Sequence, residues 1–166
     1  MTEHIELLVR GVHLSSDLLL LVQKKGAAHT FLPGGHLLFG ESSEAGLIRE
    51  IKEELGRSAR ISRFLGAAEH TWDSRRETHH EVNLVFRVEV EGLHPGQEPS
   101  SSEGHLRFFW QPLESLQGAN LQPYTLQKLL PVWLEDKREP HWASSFVDSE
   151  KMSQRIMTNE TSDPPF

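Results

Sequence analysis

The sequence predicts an α/β domain, and three stretches carry that expectation. From His80 to Glu91, Val82, Leu84, Phe86, Val88 and Val90 alternate with polar residues, the two-residue period of a strand with one buried face. Between Ala45 and Leu55, Ala45, Ile48, Ile51 and Leu55 recur at helical spacing. Leu18 to Gln23 is a short apolar run of the kind found in strands buried on both faces. Strands on either side of a helix, with a second helical pattern further on, place the chain in the α/β class.

Composition sets the outer bounds. At 166 residues the chain suits one domain with a sizeable core, and no internal repeat is visible. The expected division is a single domain over 1–140 and a C-terminal extension over 141–166, partly disordered. A formal net charge of -7 argues against a general binder of long nucleic acids, which presents a basic face. The absence of cysteine excludes disulfides, thiolate metal sites and cysteine nucleophiles. Met1-Thr2-Glu3-His4 lacks the basic start and apolar core of a signal peptide, and the run Leu18 to Val22 is too short to span a bilayer. A soluble, cytoplasmic protein with no membrane partner is expected; a homodimer is left open.

In chain order, Ile5 to His13 reads as a first strand, Ser15-Ser16-Asp17 as a turn and Leu18 to Gln23 as the second strand. Lys24 and Lys25 read as solvated turn residues, with steering of phosphate as the alternative. Pro33 restricts Leu32 to an extended conformation, and Gly34-Gly35 permits close backbone approach. Ala59 to Trp72 reads as extended, Asp73 to Thr78 as a polar loop, and His80 to Glu91 as a strand. Glu91 to Gly104, with its Gly, Pro and Ser residues, is a long irregular stretch of the kind that carries function. Leu106 to Trp110 resumes as a strand, Pro112 to Leu116 begins a short helix, and Gln122 to Leu134 reads as a last helix that Pro131 kinks or delays. Trp142 and Phe146 are candidates for docking on the body, and Ser153 to Phe166 reads as a frayed tail.

The stretch from Leu32 to Arg57 organises the rest. Ser42 or Ser43 can cap its helix, Glu44 suits the positive end, and Gly56 suits a left-handed exit. At roughly 100° per residue, Glu50, Glu53 and Glu54 share an arc of about 100° facing away from the apolar stripe. Like charges at this spacing repel by a few tenths of a kcal/mol per exposed pair. A hard divalent cation would offset the repulsion, since magnesium takes oxygen ligands and substrate phosphates. A merely solvated acidic face is the plainer alternative.

Gly35, Glu41, Arg49, Glu50, Ile51, Glu53, Glu54 and Gly56 stand at fixed spacing: Gly, five residues, Glu, seven residues, Arg-Glu, aliphatic, any, Glu-Glu, any, Gly. This resembles the signature box of the Nudix hydrolases, from which the chain departs at Arg57, where the family has an aliphatic residue. The resemblance implies an α/β/α sandwich with a mixed β-sheet. It implies Mg2+ or Mn2+ held by Glu50, Glu53 and Glu54 with the Gly34 carbonyl. Arg49, Glu50, Glu53 and Glu103 form the implied catalytic set, Arg49 by orienting the carboxylates. The general base is placed at Glu50 or Glu53, with Glu103 a further candidate and Glu98 its runner-up for the loop position. Glu41 and Gly56 are structural members of the box. Gly35, Arg75 and Trp72 are candidates for substrate binding, while His36 reads as structural or surface.

The implied reaction is hydrolysis of the pyrophosphate linkage of a nucleoside diphosphate joined to another group: a nucleotide, nucleotide sugar or nucleoside triphosphate. A cation neutralises the pyrophosphate and lowers the pKa of the attacking water, and a glutamate takes the proton. His70, His79 and His80 are too loosely spaced to read as a zinc site. Subfamily markers do not decide the substrate: Asp73 stands where ADP-ribose hydrolases place a proline, and Tyr124 is the only tyrosine. Trp72, Phe109 and Trp110 are aromatic candidates for stacking a base. A non-catalytic, nucleotide-sensing Nudix-fold module is the alternative function, and an acidic structural domain facing a basic partner is a third.

Overall fold

The computed structural model describes residues 4–74, 77–136 and 140–144, the last three of these by backbone alone. The expected sites at Arg75 and Phe146, and residues 145–166 of the expected extension, lie outside the described residues.

Two sheets form the middle of the fold. The larger joins β1 (Ile5–Val12), β4 (Gly34–His36), β5 (Ala59–Asp73), β6 (Thr78–Val90) and β8 (His141–Ser144) in the order β4-β1-β6-β5-β8. β1 runs parallel to β6 and antiparallel to β4, β5 runs antiparallel to β6, and β8 lies parallel to β5, so the sheet is mixed. The smaller sheet joins β2 (Leu14–Ser15), β3 (Leu18–Lys24) and β7 (Leu106–Pro112) in the order β2-β3-β7. The tight β2–β3 connection is made by Ser16 and Asp17, both at positive φ.

The apolar residues sort into two cores, one against α1 (Ser43–Leu55) and one against α2 (Leu126–Glu135). β3 feeds both: Leu20 and Val22 pack with Leu47, Ile51 and Leu55 of α1, whereas Leu19 and Leu21 pack with Leu126, Leu130 and Trp133 of α2. Its continuous apolar composition follows from this position between two buried faces. Helices therefore cover both sides of the strands, the α/β/α arrangement expected from the sequence.

Several expectations are corrected. The buried stripe of α1 is Gly46, Leu47, Ile51, Glu54 and Leu55. Ala45 lies exposed and Ile48 is 39% exposed, so the helix is rolled towards Leu47 and takes Glu54 inside. Gly34–His36 is a strand, because the backbone of the glycine pair comes close enough to pair with β1. α2 begins at Leu126 instead of Gln122. Thr30 and Leu121 form a bridge and the Gln122 N–H donates to the Thr30 carbonyl at 2.8 Å, which holds the start of that segment extended. Pro112–Leu116 contains only a 3-10 turn, Leu113–Ser115.

The roll of α1 is testable by thermal or denaturant unfolding. Ile51→Ala, at a fully buried site, should cost about 2–5 kcal/mol. Ile48→Ala should cost about 1 kcal/mol or less, and equal costs would contradict the roll.

Candidate active site

The site is built where α1 meets β4. The Ser42 hydroxyl accepts from the Ala45 N–H to start the helix, and Gly56 ends it at φ 67°, its N–H on the Lys52 carbonyl at 2.9 Å. Gly34 sits at φ +129°, and a Cβ there would run into the Val9 carbonyl, so only glycine fits. A Cβ on Gly35 would lie 2.6 Å from Glu50 Oε2. Gly34 thus lets β4 lie close against β1, Gly35 lets it press onto the acidic side of α1, and the Gly34 N–H donates to Glu54 Oε2 at 3.1 Å.

Glu54 is only 5% exposed. Burial pushes its pKa up from 4.5 to about 8; the Gly34 N–H and the Arg10 charge oppose the rise, while Glu50 and Glu103 add to it. Glu103 reaches this neighbourhood because its loop is tied to the helix end, the Ser102 N–H donating to the Glu54 carbonyl at 2.7 Å. The competing Glu98 instead accepts from exposed Arg107 at 2.7 Å and has no part in this group.

Arg49 gathers the remaining acids. It binds Glu41 through two nitrogens at 2.7 and 3.1 Å, Glu50 at 2.9 Å and Glu53 at 3.0 Å, and it reaches the His36 carbonyl at 3.1 Å. The Glu41 contact, then Glu50, raises the pKa of this guanidinium. Arg49, with the Leu38 N–H, holds the Glu41 carboxyl below its usual range. Arg57, at the departure from the box pattern, donates to the Glu91 and Gly92 carbonyls, hydrogen bonds to the turn that follows β6.

The four carboxylates Glu50, Glu53, Glu54 and Glu103 and the Gly34 carbonyl are hard oxygen donors, which suits a divalent cation. The buried Glu54, pressed by Glu50 and Glu103, is a group whose ionised form such a cation would stabilise. Among the described residues no three His, Asp or Glu side chains stand close enough to hold an ion as they are. Arg49 draws Glu50 and Glu53 to itself, and Glu54 turns to Gly34. The donors fit the ion chemically without forming a finished cage.

A polar layer on the large sheet runs away from this corner. Sequence reasoning missed Arg10 and Asn83. Arg10 Nε donates to the buried Asn83 Oδ1 at 3.0 Å, and its Nη1 reaches the Gly34 carbonyl at 3.0 Å and that of Leu32 at 3.3 Å. Burial lowers the Arg10 pKa, and Glu81, Glu54 and Glu50 raise it. Asn83 Nδ2 donates to Glu81, whose other oxygen accepts from Trp72 Nε1. Trp72, 41% exposed, stacks on His79 at 3.9 Å. His79 and His36 share the Glu6 carboxylate, each at 2.7 Å, and hold its pKa down against burial. Trp110 and Phe109 lie on β7, the former donating to the Gln97 carbonyl and the latter packed on the α2 core. The available signal was a lone arginine in Leu7-Leu8-Val9-Arg10 and a lone amide in Val82-Asn83-Leu84, polar residues set in apolar strands.

The Glu54 shift sets a pH dependence of stability. Its folded pKa lies above the unfolded value, so its contribution is full below pH 4.5 and declines as pH rises towards about 8. Metal-free protein should therefore lose stability on the order of a few kcal/mol across that interval. Glu54→Gln should flatten the decline in melts at pH 5 to 8, and an unchanged slope would remove Glu54 as its source.

The family model described as NUDIX domain matches residues 7–131. A curated relative, the ADP-ribose pyrophosphatase of Methanocaldococcus jannaschii, is 30% identical over 105 residues, covering 60% of this chain and 61% of that protein. The chain thus matches under two thirds of that relative's length. Among solved structures, the MutT NUDIX hydrolase from Burkholderia pseudomallei aligns with TM-score 0.56 and 26% identity over 67% of this chain and 85% of its own. A mutator MutT protein from Bacillus halodurans shares the fold, with TM-score 0.65 and 18% identity over 84% of this chain and 88% of its own. With the glycine bend, the acidic helix and the sandwich all present, the chain belongs to the Nudix family.

Proposed function

We propose that this protein is a hydrolase that cleaves the pyrophosphate linkage of a nucleoside diphosphate joined to another group, using Mg2+ or Mn2+ and attack of water on phosphorus. The observation that carries this reading is the buried Glu54 carboxyl beneath the glycine bend, crowded by Glu50 and Glu103. Pyrophosphate cleavage is further supported by the name of the archaeal relative, which makes ADP-ribose the first substrate to try. Nucleotide sugars and nucleoside triphosphates belong to the same chemical class. The reading includes small nucleotides as partners, a cytoplasmic setting, and action as a monomer or homodimer. It places catalysis within 1–140, with 141–166 as an extension that the His141–Ser144 strand ties to the sheet. No helix among the described residues is long and apolar enough to cross a membrane.

Glu50, Glu53 and Glu54, with the Gly34 carbonyl, would hold the cation, which when bound neutralises pyrophosphate charge and acidifies the attacking water. Glu53, whose side chain is 51% exposed, can turn to that water and accept its proton, with Glu50 and Glu103 as the other bases within the acidic group. Arg49 sets the directions of Glu41, Glu50 and Glu53 and acts through them. The space beside Gly35 is taken by the Glu50 carboxylate, so Gly35 would meet a substrate through its backbone alone, and Trp72 offers an exposed ring for a base, a contact worth about 1–3 kcal/mol. Arg75 would reach a substrate phosphate or carboxylate.

A nucleotide panel with Mg2+ or Mn2+, followed for release of nucleoside monophosphate and phosphate, tests the reading. Turnover should vanish with chelator and fall at least about a hundredfold in Glu53→Gln or Glu54→Gln with the fold intact. Tight nucleotide binding without turnover would make the protein a sensor, and neither binding nor turnover would make it a structural domain.

A further inference from the structure

We propose that Arg10 is a positioning residue for the cation site: its guanidinium fixes the Gly34–Gly35 peptide so that the Gly34 carbonyl keeps one orientation for the metal, beside the Gly34 N–H that holds Glu54. The inference rests on the metal-dependent reading above. It concerns a residue outside the box, on the opposite side of β4 in sequence.

Charge alone gives no reason for an arginine here. A fixed positive charge near Glu54 and Glu50 repels an incoming cation, so Arg10 opposes metal binding by Coulomb's law. Its hydrogen bonds do something else. Three successive carbonyls leading into the glycine bend are taken by β1: Leu32 by Arg10 Nη1 at 3.3 Å, Pro33 by the Gly11 N–H at 2.8 Å, and Gly34 by Arg10 Nη1 at 3.0 Å. Gly34 has the conformational freedom of a glycine at φ +129°, so its peptide plane needs an outside restraint to keep one orientation. A carbonyl has two acceptor positions, and a bond from Arg10 leaves one for a cation.

The restraint is itself restrained. Arg10 Nε is held by Asn83 Oδ1, which settles the Asn83 amide so that Nδ2 donates to Glu81 Oε2 at 3.2 Å. Glu81 Oε1 in turn accepts from Trp72 Nε1 at 2.8 Å. Every link has a defined donor and acceptor, and the chain crosses from β5 through β6 and β1 to β4. The side chain also lies over Phe31 at 5.2 Å. A lysine could supply the charge but not a planar fork that meets Asn83 and two carbonyls together.

The two effects of Arg10 on metal binding have opposite sign, which makes the proposal decidable. Mn2+ binding to the full chain is measured by the electron paramagnetic resonance signal of free Mn2+, alongside metal-free melting curves. Wild-type protein should bind Mn2+, and binding should be lost in Glu54→Gln. In Arg10→Met the dissociation constant for Mn2+ should rise about tenfold although a positive charge has been removed, and excess Mn2+ should recover kcat. Arg10→Lys should remain several-fold weaker than wild type, and it decides the matter if Arg10→Met does not fold. Binding by either folded variant as tight as wild type, or tighter, would reduce Arg10 to a countercharge and overturn the proposal while leaving the hydrolase reading intact. Failure of the wild-type protein to bind Mn2+ would instead remove the metal-dependent reading and this inference with it.

Discussion

The contact between the Gly34 N–H and the Glu54 carboxyl is the constraint on which the rest of the site depends. It joins a short edge strand to the buried side of the box helix at 3.1 Å. Gly35 makes the approach to the helix sterically feasible because Glu50 lies where a Cβ would go, and Gly34 lets the same strand lie close to the Val9 carbonyl of β1. Once strand and helix are this close, Glu54 loses its water and becomes a buried acid. Burying a carboxylate without a partner costs several kcal/mol, so the local chemistry is drawn towards protonation or towards a cation.

Two arginines manage the remaining charge in different ways. Arg49 lies on the helix and spreads its donors over Glu41, Glu50 and Glu53, which keeps these acids from splaying apart. Arg10 comes from β1 and binds backbone carbonyls and an amide instead of a carboxylate. The first arranges side chains that can swing; the second holds the main chain that they swing against. Such a division holds the backbone of the bend by one arginine and the directions of the acids by the other.

The long loop after β6 belongs to the same construction. Its serines meet the last turn of α1, where helix carbonyls lack partners of their own, and this brings Glu103 into the field of Glu54. Arg57 closes the neighbouring gap by binding the Glu91 and Gly92 carbonyls. A box position that usually packs an apolar side chain is here a hydrogen-bonded strap, compatible with its place on the surface. The end of the helix is thereby fixed from both sides.

By itself the sequence determined the local elements and the chemistry available to them. Period-two strands, a cap at Ser42 or Ser43 and another at Gly56, and the fixed spacing of the box acids follow from near-neighbour geometry, which a linear pattern records. The roll of α1, by contrast, was decided by which side chains the strands could accommodate, so that Leu47 and Glu54 went inward and Ile48 stayed out. The pairing of Gly34–His36 with β1, the delay of α2 and the partnership of Arg10 with Asn83 were likewise decided in three dimensions. Arg10 and Asn83 are 73 positions apart in the chain. Their contact exists only because β1 and β6 lie side by side, and no local periodicity encodes which strands become neighbours.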